Sequence, residues 1–407
     1  MGILKHKSIQ RSLYVVAILF VVGLGLQAFL GSFDLTLLEY PCNIIIISAI
    51  LLFAIVMCKC QGNHPVTRFL CSGAAALSAL LFIGIQSLIL GLTLQTPDTN
   101  LNDIPSLLGI RQMTSYYPFI TSYLYLLITL SFISAKRLSL KFDTLNIGFF
   151  LNHAGLLILL TATGLGAADK KELRVSIMEG HKVDKALDRH NKSADLPFTI
   201  ALKDFSMQTY MPKLVLVNTE TKRFIPDGKP EFWDIDTTKS SFSLQGYRFE
   251  IKQYLSNAVK VGNIFAESED IAAPPAVKVC TSDKHQSAWV SCGNSEQVYT
   301  MMLVDKDVSL AMLTPEPKEF ASELTILQDG TTKDARVAVN KPLHIGMWSI
   351  YQTTYDEKAG KASKLSGLQL IYDPWQRLIQ LGFGMLIMGA ITLFWGYGTK
   401  KEKHGLE

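Results

Sequence analysis

Charge is the scarcest ingredient of this sequence. Asp, Glu, Lys and Arg supply 18% of its 407 residues and hydrophobic residues 48%, whereas a soluble protein carries about 25% charged residues. The deficit is concentrated in the N-terminal third and near the C-terminus, while the middle has the make-up of an ordinary globular domain. The formal charge of +4 is too small an excess over this length to mark a nucleic-acid partner. Cysteine is scarce too: the six are scattered, which excludes a disulfide framework. None opens a Cys-x-x-Cys-His run, so the chain is not itself a cytochrome with covalent haem. The P-loop, Gly-x-Gly-x-x-Gly, His-Glu-x-x-His and Gly-x-Ser-x-Gly signatures are also missing. Soluble enzyme chemistry has no foothold, and no residue is identified as catalytic.

What is present is a set of six apolar runs, each near the length of about 17–25 residues that a membrane-spanning helix needs. They are Leu13–Leu30, Asn43–Met57, Phe69–Leu92, Pro118–Ile133, Ile147–Leu165 and Leu378–Trp395. The first follows Lys5, Lys7 and Arg11, but it exceeds a signal-peptide core and no Ala-x-Ala cleavage site follows, so it reads as a retained helix. Bases in short loops set orientation. Lys5, Lys7 and Arg11, then Lys59 and Arg68, then Lys136, Arg137 and Lys141, and finally Lys400, Lys401 and Lys403 fall on alternate turns. Both termini are therefore expected in the cytoplasm and the long middle segment outside it.

The sequence thus predicts an α-helical polytopic membrane protein of about six transmembrane helices with one large, mainly β extracytoplasmic domain. The expected parts are a membrane domain at 1–167, the outside domain at 168–373, and a final helix with a short tail at 374–407. Lys213–Asn218, Tyr247–Tyr254, Met347–Thr354 and Leu368–Tyr372 are rich in β-branched and aromatic residues and read as strands of a sandwich or half-barrel. Asp227-Gly228, Asn294-Ser295 and Asp329-Gly330 read as turns. Lys182–His190 is the one expected helix there. Cys280 and Cys292 flank Lys284, His285 and Trp289 in an expected hairpin, and a structural disulfide between them is permitted outside the cytoplasm. Cys58-Lys59-Cys60 is too short a pattern to mark a metal site by itself.

One residue is out of place. His153, in Asn152-His153-Ala154-Gly155-Leu156, is the only charged or imidazole side chain well inside any of the six runs. It lies roughly 9 Å from the cytoplasmic end of its run at 1.5 Å per residue. Ionisable groups at such depth face a bundle interior and serve a pathway or a ligand. Two readings stand: a neutral histidine bonded to a neighbouring helix, with Gly155 permitting close approach, or a metal or haem ligand, since neutral imidazole serves as both. Of the histidines in the middle segment, His344 is the strongest further candidate, because Asn340-Lys341-Pro342-Leu343-His344 opens the strand leading back to the last apolar run.

The flanks of the middle segment carry further motifs. Asn152-His153-Ala154-Gly155-Leu156-Leu157 runs into Gly164-Leu165-Gly166, then Arg174–Gly180, then Leu196–Phe205. At the far end stand Asn340-Lys341-Pro342-Leu343, Gly346–Asp356 and Tyr372-Asp373-Pro374-Trp375. In this order, from about Phe149 to Trp395, they resemble the ResB-like family of System II cytochrome c biogenesis membrane proteins.

The resemblance implies a haem-handling subunit. It would help to move haem b, as transient cargo, across the membrane for covalent attachment to apocytochrome c outside. It implies His153 as an axial ligand, a tryptophan-rich haem-presenting membrane partner, and a thioredoxin-like thiol reductant. The chain would then be no enzyme on its own but part of a cytochrome c synthetase complex in the cytoplasmic membrane. Two features depart from the family pattern. Five apolar runs precede the middle segment where three are usual, and the partner's tryptophan-rich segment is absent, the five tryptophans being dispersed. The rival is a scaffold whose helices only anchor a partner-binding β-domain; it predicts that His153→Ala is silent while loss of the middle segment is not.

Overall fold

An apolar run can cross hydrocarbon only if its backbone groups are satisfied within the segment, which makes it a helix. The computed structural model describes residues 2–96, 106, 109–138, 140, 144–236, 238–283 and 286–404. It contains α1 (Gly2–Leu30), α2 (Cys42–Cys60), a short α3 (Pro65–Leu70), α4 (Gly73–Leu92), α5 (Tyr117–Leu138), α6 (Thr144–Gly164) and α7 (Gln376–His404). All but α3 are long and apolar enough to cross a membrane. The expected single span Phe69–Leu92 is broken at Cys71-Ser72. There the Ser72 hydroxyl accepts from the Ala75 N–H at 3.2 Å, an N-cap that starts a fresh helix rather than continuing the old one. The Lys284 and His285 tip of the expected hairpin, and Lys141, lie outside the described residues.

The chain divides into two compact units, Met1–Lys170 with Asp373–Glu407, and Lys171–Tyr372. In the helical unit α5 packs against α1, α2, α4 and α6 and buries Leu126, Leu127, Leu130 and Phe132. Two of its buried hydroxyls are satisfied by its own carbonyls, Thr129 to Leu126 at 2.9 Å and Ser131 to Leu127 at 2.8 Å. Lys136 and Arg137 close its last turn, where cations complement the helix dipole. The seam between α6 and α7 is made of glycine. A Cβ on Gly155 would stand 2.9 Å from Met385 Cβ, and one on Gly389 2.9 Å from Asn152. Small residues let membrane helices meet backbone to backbone.

A 3-10 turn, Leu165–Asp169, ends α6. The Asp169 carboxylate accepts from the Tyr40 N–H at 2.7 Å, Asn43 Nδ2 at 2.8 Å and Trp375 Nε1 at 2.7 Å. One side chain thereby joins the start of α2, the end of α6 and the approach to α7. Asp169→Ala leaves the part-buried Trp375 indole N–H without this acceptor, while Asn43 keeps the Leu165 carbonyl and the exposed Tyr40 N–H turns to water. The expected cost is about 1–3 kcal/mol, that of one orphaned buried group. Thermal melting in detergent checks this.

The second unit is a β-domain. Its largest sheet has the order β15 (Thr331–Ala338), β14 (Pro317–Gln328), β3 (Ser193–Thr209), β2 (Lys182–Leu187), β1 (Lys171–Met178), β18 (Leu365–Tyr372), β17 (Trp348–Tyr355) and β16 (Leu343–Ile345). The sheet curls until β15 meets β16 and β17. It closes around Ile177, Ile200, Leu202, Leu324, Ile350 and Leu370, and the buried Ser322 hydroxyl bridges to Gln352 and Ser366, each at 2.7 Å. The β14–β15 hairpin turns at Asp329-Gly330, both with positive φ, as the type I′ turn of a two-residue hairpin requires.

Two four-stranded sheets pack face to face over Leu214, Leu216, Phe249, Val279 and Leu310. One is β11 (Ser287–Ser291), β10 (Ala276–Thr281), β7 (Tyr247–Leu255) and β6 (Ser241–Leu244). The other is β12 (Met302–Asp305), β13 (Val308–Met312), β4 (Lys213–Asn218) and β5 (Phe232–Asp234). β8 (Ala258–Val261) and β9 (Ile264–Glu267) form a separate hairpin. A sandwich and a nearly closed barrel thus share one unit. The helix expected over Lys182–His190 is instead β2 and a turn. Its backbone fills the slot between β1 and β3, and Asp188 Oδ1 accepts from the His190 and Lys192 N–H groups at 2.8 Å.

Candidate functional site

Along α6 the seam with α7 is lined by Gly148, Asn152, Gly155 and Leu159, spaced four, three and four residues apart. His153 is one residue, about 100°, round from that seam. It shares its stripe with the buried Leu157 and with Leu160, whose carbonyl accepts from the Tyr123 hydroxyl of α5 at 2.6 Å. His153 is half-buried. Its Nδ1 lies 2.7 Å from the Phe149 carbonyl oxygen. A carbonyl can only accept, so Nδ1 carries a proton, and in the neutral imidazole Nε2 then keeps its lone pair. Among the described residues nothing bonds to Nε2. That is the tautomer and second contact that a ligating histidine needs.

The layer beneath is aromatic and cationic. The Phe149 ring lies 6.3 Å from the imidazole, and the Arg137 guanidinium of α5 stands 4.7 Å from the centre of that ring, within cation–π range. Arg137 also reaches Asn146 Oδ1 at 3.4 Å and meets no carboxylate among the described residues. Seven residues the other way, about 10 Å along the axis, Leu160 lines an apolar cavity of about 600 Å³ with Phe33, Phe119, Tyr123 and Gly164. Among the described residues no histidine, cysteine or carboxylate lines the cavity, so His153 and this volume sit at different depths. Among the described residues no cluster of three metal-ligating side chains exists.

His344 belongs to the other unit. It is exposed, pairs with Ser349 across the β16–β17 hairpin, and places Nδ1 2.9 Å from the Ser349 hydroxyl. The expected hairpin around Cys280 and Cys292 exists as β10–β11, but the disulfide does not form and both cysteines are free. Cys280 is opposite Ser287, so Cys292 is five positions further along, about 17 Å at the strand rise, where a disulfide needs Cα atoms within about 7 Å. Burial pushes the Cys292 thiol from 9.0 up to about 11. A raised thiol pKa means less thiolate at any pH below it: about one in a thousand at pH 8, against about one in ten without the shift. Cys292 is therefore expected to alkylate about a hundredfold more slowly in the folded protein than after unfolding, as read by mass spectrometry of iodoacetamide-treated samples.

Sequence reasoning missed Asp169, whose partners come from three distant segments. It also missed His64, which caps α3 by accepting from the Val66 N–H at 3.3 Å. An acid directly after an apolar run was the one available signal for the first.

The profile of the ResB-like family matches residues 143–234 and 279–365, which takes in α6 with His153 and strands of all three main sheets. No curated protein matches the chain. Among solved structures, one described as "Cytochrome c Heme Lyase CcmF" aligns at a TM-score of 0.23 and 11% identity, covering 87% of this chain and 40% of that one. This chain therefore spans about two fifths of that structure's length.

Proposed function

With residues 143–234 and 279–365 belonging to the ResB-like family, we propose that this chain serves cytochrome c biogenesis as a haem-handling membrane subunit. The observation that carries the proposal is the His153 imidazole: within an apolar helix, proton fixed on Nδ1 by the Phe149 carbonyl, Nε2 open. A neutral imidazole nitrogen suits an axial position on haem iron. Haem b is the cargo, and His153 would supply one axial ligand. Arg137, next to Phe149 and without a carboxylate partner among the described residues, is the group suited to the porphyrin's propionates.

The remaining ligand and the attachment chemistry fall to other chains. The partners are a tryptophan-rich haem-presenting membrane protein, the apocytochrome, and a thioredoxin-like reductant that keeps its cysteines as thiols. The alternating basic loops support a β-domain outside the cytoplasm, where it would meet the apocytochrome. In this reading the chain is a subunit of a synthetase complex and not an enzyme alone. Deleting it from cells that make c-type cytochromes is expected to abolish haem-stained bands on denaturing gels while apocytochrome persists. Undiminished staining would refute the reading.

A further inference from the structure

β3 is seventeen residues long, but its neighbours cover it unequally. β14 pairs with it from Thr199 to Thr209. β2 pairs only with Ser193 to Ala201, and the turn before β2 adds two bonds at Leu202, its carbonyl accepting from Gly180 and its N–H donating to the His181 carbonyl. Beyond that point one edge of β3 has no strand beside it among the described residues. The direction of the free groups follows from Phe205, whose N–H turns away from β14 to the Glu179 carboxylate at 3.0 Å. Pairing with β14 is regular from Phe205 to Met207, so residues alternate in direction and Met207 turns the same way. Tyr210 donates to Glu316 on the β14 side, which places Thr209 on the free edge as well. Alternation thus turns the Phe205 carbonyl and both main-chain groups of Met207 and Thr209 away from β14, and no main-chain bond from a turn or loop reaches them among the described residues.

These groups do not face an open surface. Asp204 to Pro212 form one wall of a groove of about 550 Å³, opposed by Tyr254, Ile271, Pro275, Pro315 and Lys361. Tyr210, Met211 and Ile271 are exposed apolar side chains on its rim. The Lys361 ammonium, half-buried and held below its ordinary pKa by that burial, meets no carboxylate among the described residues. A native sheet edge this long is normally covered or blunted; here it is left at the bottom of a furrow.

We propose that this groove takes an extended polypeptide segment by strand addition to β3, and that the segment belongs to the unfolded apocytochrome. Only a main chain supplies donors and acceptors at the two-residue repeat of Phe205, Met207 and Thr209, which span about 14 Å, room for about five residues. Strand addition draws affinity from main-chain bonds and leaves sequence to side pockets. Such a reader suits a chain that must be held extended while its cysteines are still reduced. The rim of Tyr210, Met211 and Ile271 offers apolar contacts, and Lys361 an unpaired cation for an acidic side chain. The identity of the occupant rests on the function proposed above; the strand-adding edge does not.

The test uses the full-length protein in detergent and a fluorescent peptide of about twelve residues containing a reduced Cys-x-x-Cys-His motif, read by anisotropy. Saturable binding is expected, and N-methylation of alternate peptide nitrogens is expected to weaken it by about tenfold or more. Met207→Pro removes one N–H from the free edge and none from the β14 ladder, so it is expected to weaken binding about as much without lowering the melting temperature. Met207→Ala should leave it within about threefold. Equal binding of methylated and plain peptides, or no binding at all, overturns the proposal even if Met207→Pro fails to fold. A homodimer abolished by Met207→Pro would assign the groove to a second copy and overturn it too. Haem retention at His153 is measured separately: haem without peptide binding defeats the groove alone, and peptide binding without haem defeats the haem reading alone.

Discussion

His153→Ala is expected to lower covalent haem in c-type cytochromes by at least about tenfold while the protein accumulates at its normal level. Loss of function and loss of folding separate at this position. The Nδ1 bond is made within the helix, to the Phe149 carbonyl, which the α-helix already supplies with the His153 N–H. Removing the ring therefore orphans no buried group, and the half-buried site loses only part of an apolar contact. His153→Gln keeps a polar side chain of similar reach but offers no imidazole lone pair. If the histidine only packs the bundle, the glutamine variant should behave as wild type. If it is a ligand, both variants should fail alike, with melting temperatures close to that of the parent.

The second large effect is expected from the seam between α6 and α7. A Cβ on Gly155 stands 2.9 Å from Met385 Cβ, 3.0 Å from the Gly382 carbonyl oxygen and 3.1 Å from the Leu386 nitrogen. Two of these are backbone atoms that cannot turn aside. Gly155→Ala is expected to cost about 1–3 kcal/mol by overpacking and Gly155→Leu more, because the helices must separate along their length. Gly382→Ala meets the Gly155 carbonyl and the Leu159 nitrogen at 3.0 Å and should act alike. Gly384, with nothing within 4 Å of its Cβ position, is the control: Gly384→Ala should stay within about 0.5 kcal/mol. Melting curves of the purified variants decide this.

The six apolar runs were legible because hydropathy alone forces them into helices, and His153 stood out because nothing else of its kind lies inside them. The break at Ser72 was not legible, since a single side-chain cap decides it. The strands at Lys213–Asn218 and Tyr247–Leu255 follow from β-branched and aromatic patterning. Their order does not: β1 pairs with β18, joining Lys171 to Tyr372, and no local signal carries such a pairing. Cys280 and Cys292 look close in sequence, but in a hairpin the register sets the distance, and here it holds them apart. The polar β2 was misread because its neighbours, not its composition, determine its conformation. The tautomer of His153 and the open edge of β3 are likewise properties of backbone geometry.

The measurement that bears most directly on the central claim is the visible absorption spectrum of the protein purified in mild detergent with its haem-presenting partner, as wild type and as His153→Ala. A reduced haem b spectrum in the wild type that is lost or shifted in the variant is the expected result. The same haem spectrum in both, or none in either, would contradict the assignment of His153 as an iron ligand.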